Sequence, residues 1–503
     1  MKGEREFKQP KDVESTKCHT HNQQSSNPTD EFMFAPAFTG QISEKNNKIT
    51  FDGNCFEETT FEFVYNEAKP HEVQVIATME KPRTETCSDF YLFGNTEIQH
   101  AENFFFHGKH TLTFKAPTED AIIDLKAFGL ETYLFCEDLQ DELLSVFTSL
   151  KAFIGGLGMH GKTPLFDPKV PAYMEAANIN FMKWALNIEL EERTTQKVLI
   201  PEENIQSGDY LAVMRLDGLD PMIMFGTGSR SGHSVMAMRF DGELYIVESQ
   251  DAWYWPTHRI QRTPFKAWLR FAENCDFHVV HMPLNKEMRA KFDQKKAEDF
   301  FFQTEGLPYG YHNFLYSWVD TPEQNWPVIL PKDLVPVVFS LIEKYDKNLT
   351  DNFFTEALNF HLGTKGLNIS GIAAEGSKQG LNVTDVMAMP EKDGWEYTGS
   401  YHDGLSYVCS TYVAAMWKAA GLFDDMEINA AEWSPRDVYQ VDFFDKDYKR
   451  PQACVDADPD GGFCQLLGKY RMVFPGWSSI KAYEHQNDHC PSVAPDFVRP
   501  DGC

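Results

Sequence analysis

No run of this sequence approaches the ~18 consecutive apolar residues that a bilayer-spanning helix requires, so no membrane span is expected. Basic residues are scarce, 46 lysines and arginines against 75 acidic residues, for a formal charge of -29. That field repels phosphate backbones, and nucleic acid is not expected as a partner. The opening MKGEREFKQPKDVESTK has no apolar h-region, so a signal peptide is either already removed from this numbering or absent. Residues 1–33 also lack the apolar content to fold alone and read as a flexible arm. Within them Cys18, His19 and His21 have no second ligand pair at finger-like spacing. Asp456-Ala457-Asp458-Pro459-Asp460-Gly461 opens like a calcium loop, but Leu467 stands where the bidentate glutamate belongs and a proline interrupts. No metal and no cofactor is therefore expected.

Aromatics are plentiful by contrast, 14% of 503 residues with forty phenylalanines, a composition suited to well-filled, strand-rich domains. Ten cysteines, several in polar turn-like contexts, favour disulfides. Three acceptor sequons begin at Asn348, Asn368 and Asn382. Together these features point to a glycoprotein on the secretory route, secreted to the exterior or held in a lysosome-like compartment.

From Phe34 to Phe135 short alternating runs (ITF, FEFVY, VQVIATM, DFYLFG) recur between turn signals, so residues 34–136 are expected to form a β-sandwich stapled by Cys55 and Cys87. Carbohydrate is a possible ligand for such a module. Helical spacing is expected over Glu137–Gly156, which ends at paired glycines, and over Ala172–Glu191. Residues 321–400 carry the sequons and read as a long glycosylatable insertion. Residues 443–503, with Cys454, Cys464, Cys490 and Cys503, read as a cysteine-rich tail dependent on disulfides.

Two blocks carry chemistry. Gly232-His233-Ser234 opens a strand that reaches Asp241-Gly242, a strong two-residue hairpin signal, and the strand Glu243–Gln250 comes next. The resulting register opposes His233 to Gln250 and sets Glu248 on the diagonal of the same face. Either side chain can orient the imidazole, and only the carboxylate raises its basicity strongly. In the second block, Tyr407-Val408-Cys409-Ser410, helical spacing begins at Ser410 and stops at Gly421. Cys409 thus sits at a helix start, where unpaired N–H groups and the dipole favour the thiolate. Cysteine, histidine and carboxylate form the set that nucleophilic acyl transfer requires. Tyr309, Tyr407 and Tyr412 are candidates for lining a cleft. His402-Asp403 does not make a base and orienter, because adjacent side chains point apart.

The Ser207-Gly208-Asp209 turn, Gly232-His233-Ser234, Val247-Glu248-Ser249, Gly306-Leu307-Pro308-Tyr309-Gly310-Tyr311 and Tyr407-Val408-Cys409-Ser410 resemble the circularly permuted papain-like amidases of the NlpC superfamily, YaeF/YiiX type. The resemblance spans roughly residues 200–425. It implies a permuted papain-like domain over 137–442, which with the expected N-terminal β-sandwich and the cysteine-rich tail makes an α+β fold. It also implies that Cys409, His233 and Glu248 inherit the roles of nucleophile, base and orienter, with Gln250 the alternative orienter. The expected function is a secreted cysteine hydrolase acting on a peptide, amide or related acyl bond. The alternatives are a catalytically inactive binding or structural protein of the same fold, and a lipid acyltransferase. If Cys409 is free, nine cysteines remain and one more must be free or pair between chains. Cys275, beside the apolar Phe277-His278-Val279-Val280, is that candidate.

Overall fold

The computed structural model describes residues 37–94, 99–116, parts of 121–129, 130–135, 169–250, 259–311, 334–389, 396–398, 403–405 and 407–482, less isolated positions. The helix expected over Glu137–Gly156, the arm, His402 and Cys18, Cys136, Cys490 and Cys503 lie outside the described residues.

Eight strands come first: β1 (Ala37–Ile42), β2 (Lys48–Phe51), β3 (Phe56–Tyr65), β4 (Glu72–Pro82), β5 (Asp89–Gly94), β6 (Gln99–Phe104), β7 (Gly108–Lys115) and β8 (Leu130–Phe135). They form two antiparallel four-stranded sheets, β1-β8-β5-β6 and β2-β3-β4-β7. Period-2 alternation turns Phe61, Phe63, Val73 and Val75 of one sheet toward Tyr91, Phe93, Leu130 and Leu134 of the other, closing a shared core. Each fully buried phenylalanine there contributes about 1.5–3 kcal/mol. Cys55 and Cys87 are disulfide-bonded across this unit. Phe38, Leu92 and Tyr133 turn outward and pack with Ala177 and Phe181 of helix α1 (Ala172–Leu186), which joins the sandwich to a second unit. α1 stops five residues short of the expected Glu191. Asn187 adopts a left-handed backbone (φ 52°) and Ile188 N–H turns back to the Met182 carbonyl.

The second unit is built on one antiparallel sheet of order β12-β11-β10-β9-β13-β16. Its strands are β9 (Tyr210–Met214), β10 (His233–Phe240), β11 (Glu243–Gln250), β12 (Arg259–Pro264), β13 (His278–Met282) and β16 (Cys464–Leu467). Helix α2 (Leu219–Thr227) joins β9 to β10, and α3 (Phe265–Asn274) joins β12 to β13. In the β10–β11 hairpin Phe240 pairs with Glu243 and Met236 with Val247. Asp241 (φ 51°) and Gly242 (φ 85°) supply the two left-handed positions of that turn.

Both faces of this sheet are covered, so its strands are apolar nearly throughout. One face, with Tyr210, Ala212, Met236 and Met238, packs against α4 (Gln294–Thr304), α8 (Cys409–Ala419) and α9 (Pro435–Gln440). The other, with Leu211, Val213, Val235 and Ile246, packs against α3 and against α5 (Leu334–Ile342), α6 (Glu356–His361) and α7 (Ile369–Lys378). The described part of the stretch read as a decorated insertion, 334–387, is therefore largely helical and supplies core residues, including Leu349, Phe354, Leu358 and Ile372. A short ribbon, β14 (Glu396–Thr398) with β15 (Asp403–Leu405), precedes α8. Nor does the cysteine-rich segment stand apart: β16 pairs with β13, and the Cys454–Cys464 disulfide anchors its start. Asn348, Asn368 and Asn382 are all exposed, which leaves their amides accessible. Asn368 also caps α7, its Oδ1 accepting from Gly371 N–H.

Among the described residues no helix is long and apolar enough to cross a membrane.

Candidate functional site

His233 is the first residue of β10 and Glu248 lies two-thirds along β11, so the hairpin register brings them onto one face. The Nε2–H of His233 donates to Glu248 Oε2 at 3.0 Å, with both residues buried, 4% and 2% exposed. The Trp268 indole N–H of α3 donates to the other oxygen, Oε1, at 3.2 Å, so the carboxylate is held from two sides. With Nε2 committed to Glu248, it is Nδ1 that faces Cys409, to which the ring is also hydrogen-bonded. Burial alone would lower the imidazole pKa. Hydrogen bonds and charges from Cys409 and Glu248 outweigh it and hold His233 well above its usual value of 6.5.

Cys409 is the first residue of α8 and 3% exposed. The preceding Val408 is extended (φ -80°, ψ 176°) and offers no side-chain cap. The first-turn N–H groups of α8 thus have neither an intrahelical partner nor a cap and are available to an anion. α8 is held at this height by its far end, where the Trp417 indole N–H donates to the Gly208 carbonyl at 3.0 Å. Gly208 (φ 88°) has no room for a side chain, since a Cβ would meet Phe292 and Leu284. The next residue, Asp209, is buried and accepts from His281 Nε2 (2.9 Å), Leu284 N–H (3.0 Å) and Arg289. Burial opposes its charge, but these partners keep its pKa below the ordinary carboxylate value. It anchors the turn before β9 at the end of β10 remote from His233, where the groove lined by Glu202, Gln206, Arg239 and Arg289 also lies.

The hydrogen-bond partner of His233 Nε2 is Glu248 and not Gln250. Gln250 is 1% exposed, and its Nε2 has no hydrogen-bond partner among the described residues. Tyr309 and Tyr407 form a parallel bridge two residues before Cys409 in the chain, with Gly310 N–H and Ser249 Oγ both donating to the Tyr407 carbonyl. Tyr412 is fully buried, bonds Thr304 Oγ1 at 3.1 Å and stacks on Phe300; its aromatic bulk fills the core, and it lines no cleft wall. The remaining free cysteine among the described residues is Cys275, buried, with burial pushing its thiol pKa up. In the calcium-like loop Asp458 accepts from Arg471, and Arg450 binds the Asp458 and Pro459 carbonyls.

Two residues near the site escaped the sequence reading. Trp268 arrives from a separate helix, and only its place on an amphipathic stripe marks it as inward. Tyr210, first in β9, reaches Ser234 Oγ at 3.1 Å and sits within electrostatic range of Cys409. Burial chiefly, and the neighbouring sulfur, hold its phenol well above the usual value.

The chain matches no protein-family model, no curated protein and no solved structure.

Proposed function

We propose that this protein is a thiol hydrolase of circularly permuted papain-like build, secreted, that cleaves an amide or related acyl bond through Cys409, His233 and Glu248. The observation that carries the reading is the placement of the buried His233 ring, bonded at once to the helix-start thiol of Cys409 and, at 3.0 Å, to the Glu248 carboxylate. A thiolate so paired attacks the acyl carbon. The Cys409 N–H at the head of α8 stabilises the oxyanion, and His233 protonates the leaving amine; water, deprotonated by the neutral imidazole, then releases the acyl group and restores the thiolate. Gln250, with its unpartnered buried amide N–H on the strand beside His233, is the side chain available to bond the substrate carbonyl. Supporting the secretory assignment are the two disulfides among the described residues and the three exposed sequon asparagines.

The test is an amide and ester substrate screen of wild type against Cys409→Ala, with alkylation by iodoacetamide mapped by mass spectrometry. Hydrolysis is expected from wild type alone, with the first adduct on Cys409 ahead of Cys275, whose thiol burial keeps protonated. If Cys409 resists alkylation while no acyl substrate turns over, the hydrolase reading is wrong.

A further inference from the structure

We propose that the groove lined by Arg239 and Arg289 is a second ligand site, which takes an oxyanion, a carboxylate or a phosphate group, carried on a larger organic body. It shares no residue with Cys409, His233 and Glu248 and does not depend on the chemistry assigned to them.

The groove has a volume of about 650 Å³, within the range of small-molecule sites. Its walls include Glu203, Ser207, Arg239, Arg289 and Phe292. Arg239 is next to last in β10, and backbone carbonyls fix its guanidinium: Nη1 donates to Gly242 (3.1 Å), and Nη2 to Glu202 (2.6 Å) and Ile205 (3.0 Å). A guanidinium carries five N–H groups, so Nε–H and one Nη1–H of Arg239 have no acceptor among the described residues. Arg289 donates from Nη1 to the Ser207 carbonyl and from Nη2 to Asp209 Oδ1, which leaves Nε–H and one proton on each Nη. Ser207 Oγ accepts the Arg239 N–H at 2.9 Å, and its own hydroxyl proton is a further donor. Three side chains on one groove thus hold donors in excess of their acceptors. An ionised carboxylate or phosphate offers acceptors alone, and with arginine it makes the strong, charge-assisted kind of hydrogen bond.

The local charge points the same way. Glu202, also on the groove, is paired with Lys266 at 2.9 Å. Asp209, behind Arg289, is shared with His281 Nε2 and the Leu284 N–H. Arg239 makes no ion pair among the described residues, and exposed Glu203 is the one opposing charge on the lining without a cation of its own. The molecule's net field repels anions, so an anion is selected here by the two guanidiniums themselves, within the ~8 Å over which charges act at physiological salt. Both are held in place by the backbone before a ligand arrives, so binding loses little of the rotamer entropy that a loose arginine would give up. A phosphate ion alone fills a small part of the groove. Half-buried Phe292, packed against Gly208, gives the rest of the ligand an apolar surface.

The experiment is arginine modification of the full chain by phenylglyoxal, mapped by mass spectrometry, in inorganic phosphate, sodium acetate or sodium chloride at equal ionic strength. Phosphate or acetate is expected to slow modification of Arg239 and Arg289 saturably, beyond chloride, while exposed Arg259 and Arg270 react unchanged. The anion that protects at lower concentration identifies the group on the ligand. In Arg239→Gln the concentration that half-protects Arg289 is expected to rise about tenfold, since a charged hydrogen bond is lost. Glu203→Gln removes the opposing charge from an exposed position that bonds no other residue, so the same concentration is expected to fall severalfold with the fold intact. Protection no better than that of chloride, or equal protection of Arg259 and Arg270, overturns the proposal. So does a half-protecting concentration unmoved by Glu203→Gln, a result that holds even if Arg239→Gln does not fold.

Discussion

At the scale of the residue, the proposed chemistry turns on the pair His233–Glu248, and the Trp268 indole holds the carboxylate of that pair from its other side. Glu248→Gln keeps shape but removes the charge that helps hold the imidazolium. Turnover is expected to fall about 10²–10⁴-fold in kcat/KM. The sign of the pH effect comes from the raised His233 pKa: wild-type activity persists until pH climbs past that value, above 6.5, and the alkaline limb moves down in Glu248→Gln. Trp268→Phe preserves the buried ring and deletes one hydrogen bond, so about a tenfold loss is expected, with the alkaline limb displaced in the same direction. Rate profiles of the three proteins between pH 5 and 10 check both outcomes; an unmoved limb in Glu248→Gln would remove the carboxylate from its role. Cys409, His233 and Glu248 were legible because each owes its setting to local pattern: a helix start, a strand start and a hairpin diagonal. Trp268 and Tyr210 owe theirs to chain brought from elsewhere.

At the scale of the element, close packing around the His233 loop is the vulnerable point. Gly232 lies so near Asp220 that a Cβ would come within 2.2–2.4 Å of its atoms, while Asp220 is itself occupied with the Arg215 N–H at 2.6 Å. Gly232→Ala therefore has to move the loop or α2. A stability loss of about 2 kcal/mol or more is expected, read by urea denaturation, together with impaired turnover because His233 is the next residue. Equal stability in the variant would contradict this packing. The β10–β11 turn was readable from Asp241-Gly242 because left-handed backbone there is a property of two residues alone. The end of α1 was not, since Asn187 turns the chain by contacts with its own helix that periodicity does not encode.

At the scale of the whole molecule, acid titrates histidines that lie outside the candidate site. His278 is buried and His361 half-buried, and loss of solvent pushes each down to about 4 from an ordinary 6.5. Between those values the unfolded chain binds protons that the folded one does not, so stability is present above pH 6.5 and drains away as pH falls toward 4. Each contributes on the order of 2 kcal/mol of loss between pH 7 and 5. Urea midpoints are expected to drop over that interval in wild type and to drop less in the double variant His278→Asn, His361→Asn. Identical slopes would show that other groups control the acid response.

The chain's own residues determined the alternation of the sandwich, the hairpin carrying His233 and Glu248, and the helix beginning at Cys409, because periods of two and 3.6 and a two-residue turn are local properties. Tertiary structure alone decided the rest. It folded residues 334–387 largely into helices over one sheet face, drew Cys464–Leu467 into the sheet as an edge strand, and sent Tyr412 into the core. The physical reason is that burial depends on which surfaces meet, and in this sheet those surfaces come from segments up to about 250 residues apart, such as Val213 of β9 and Leu467 of β16 on either side of Val279.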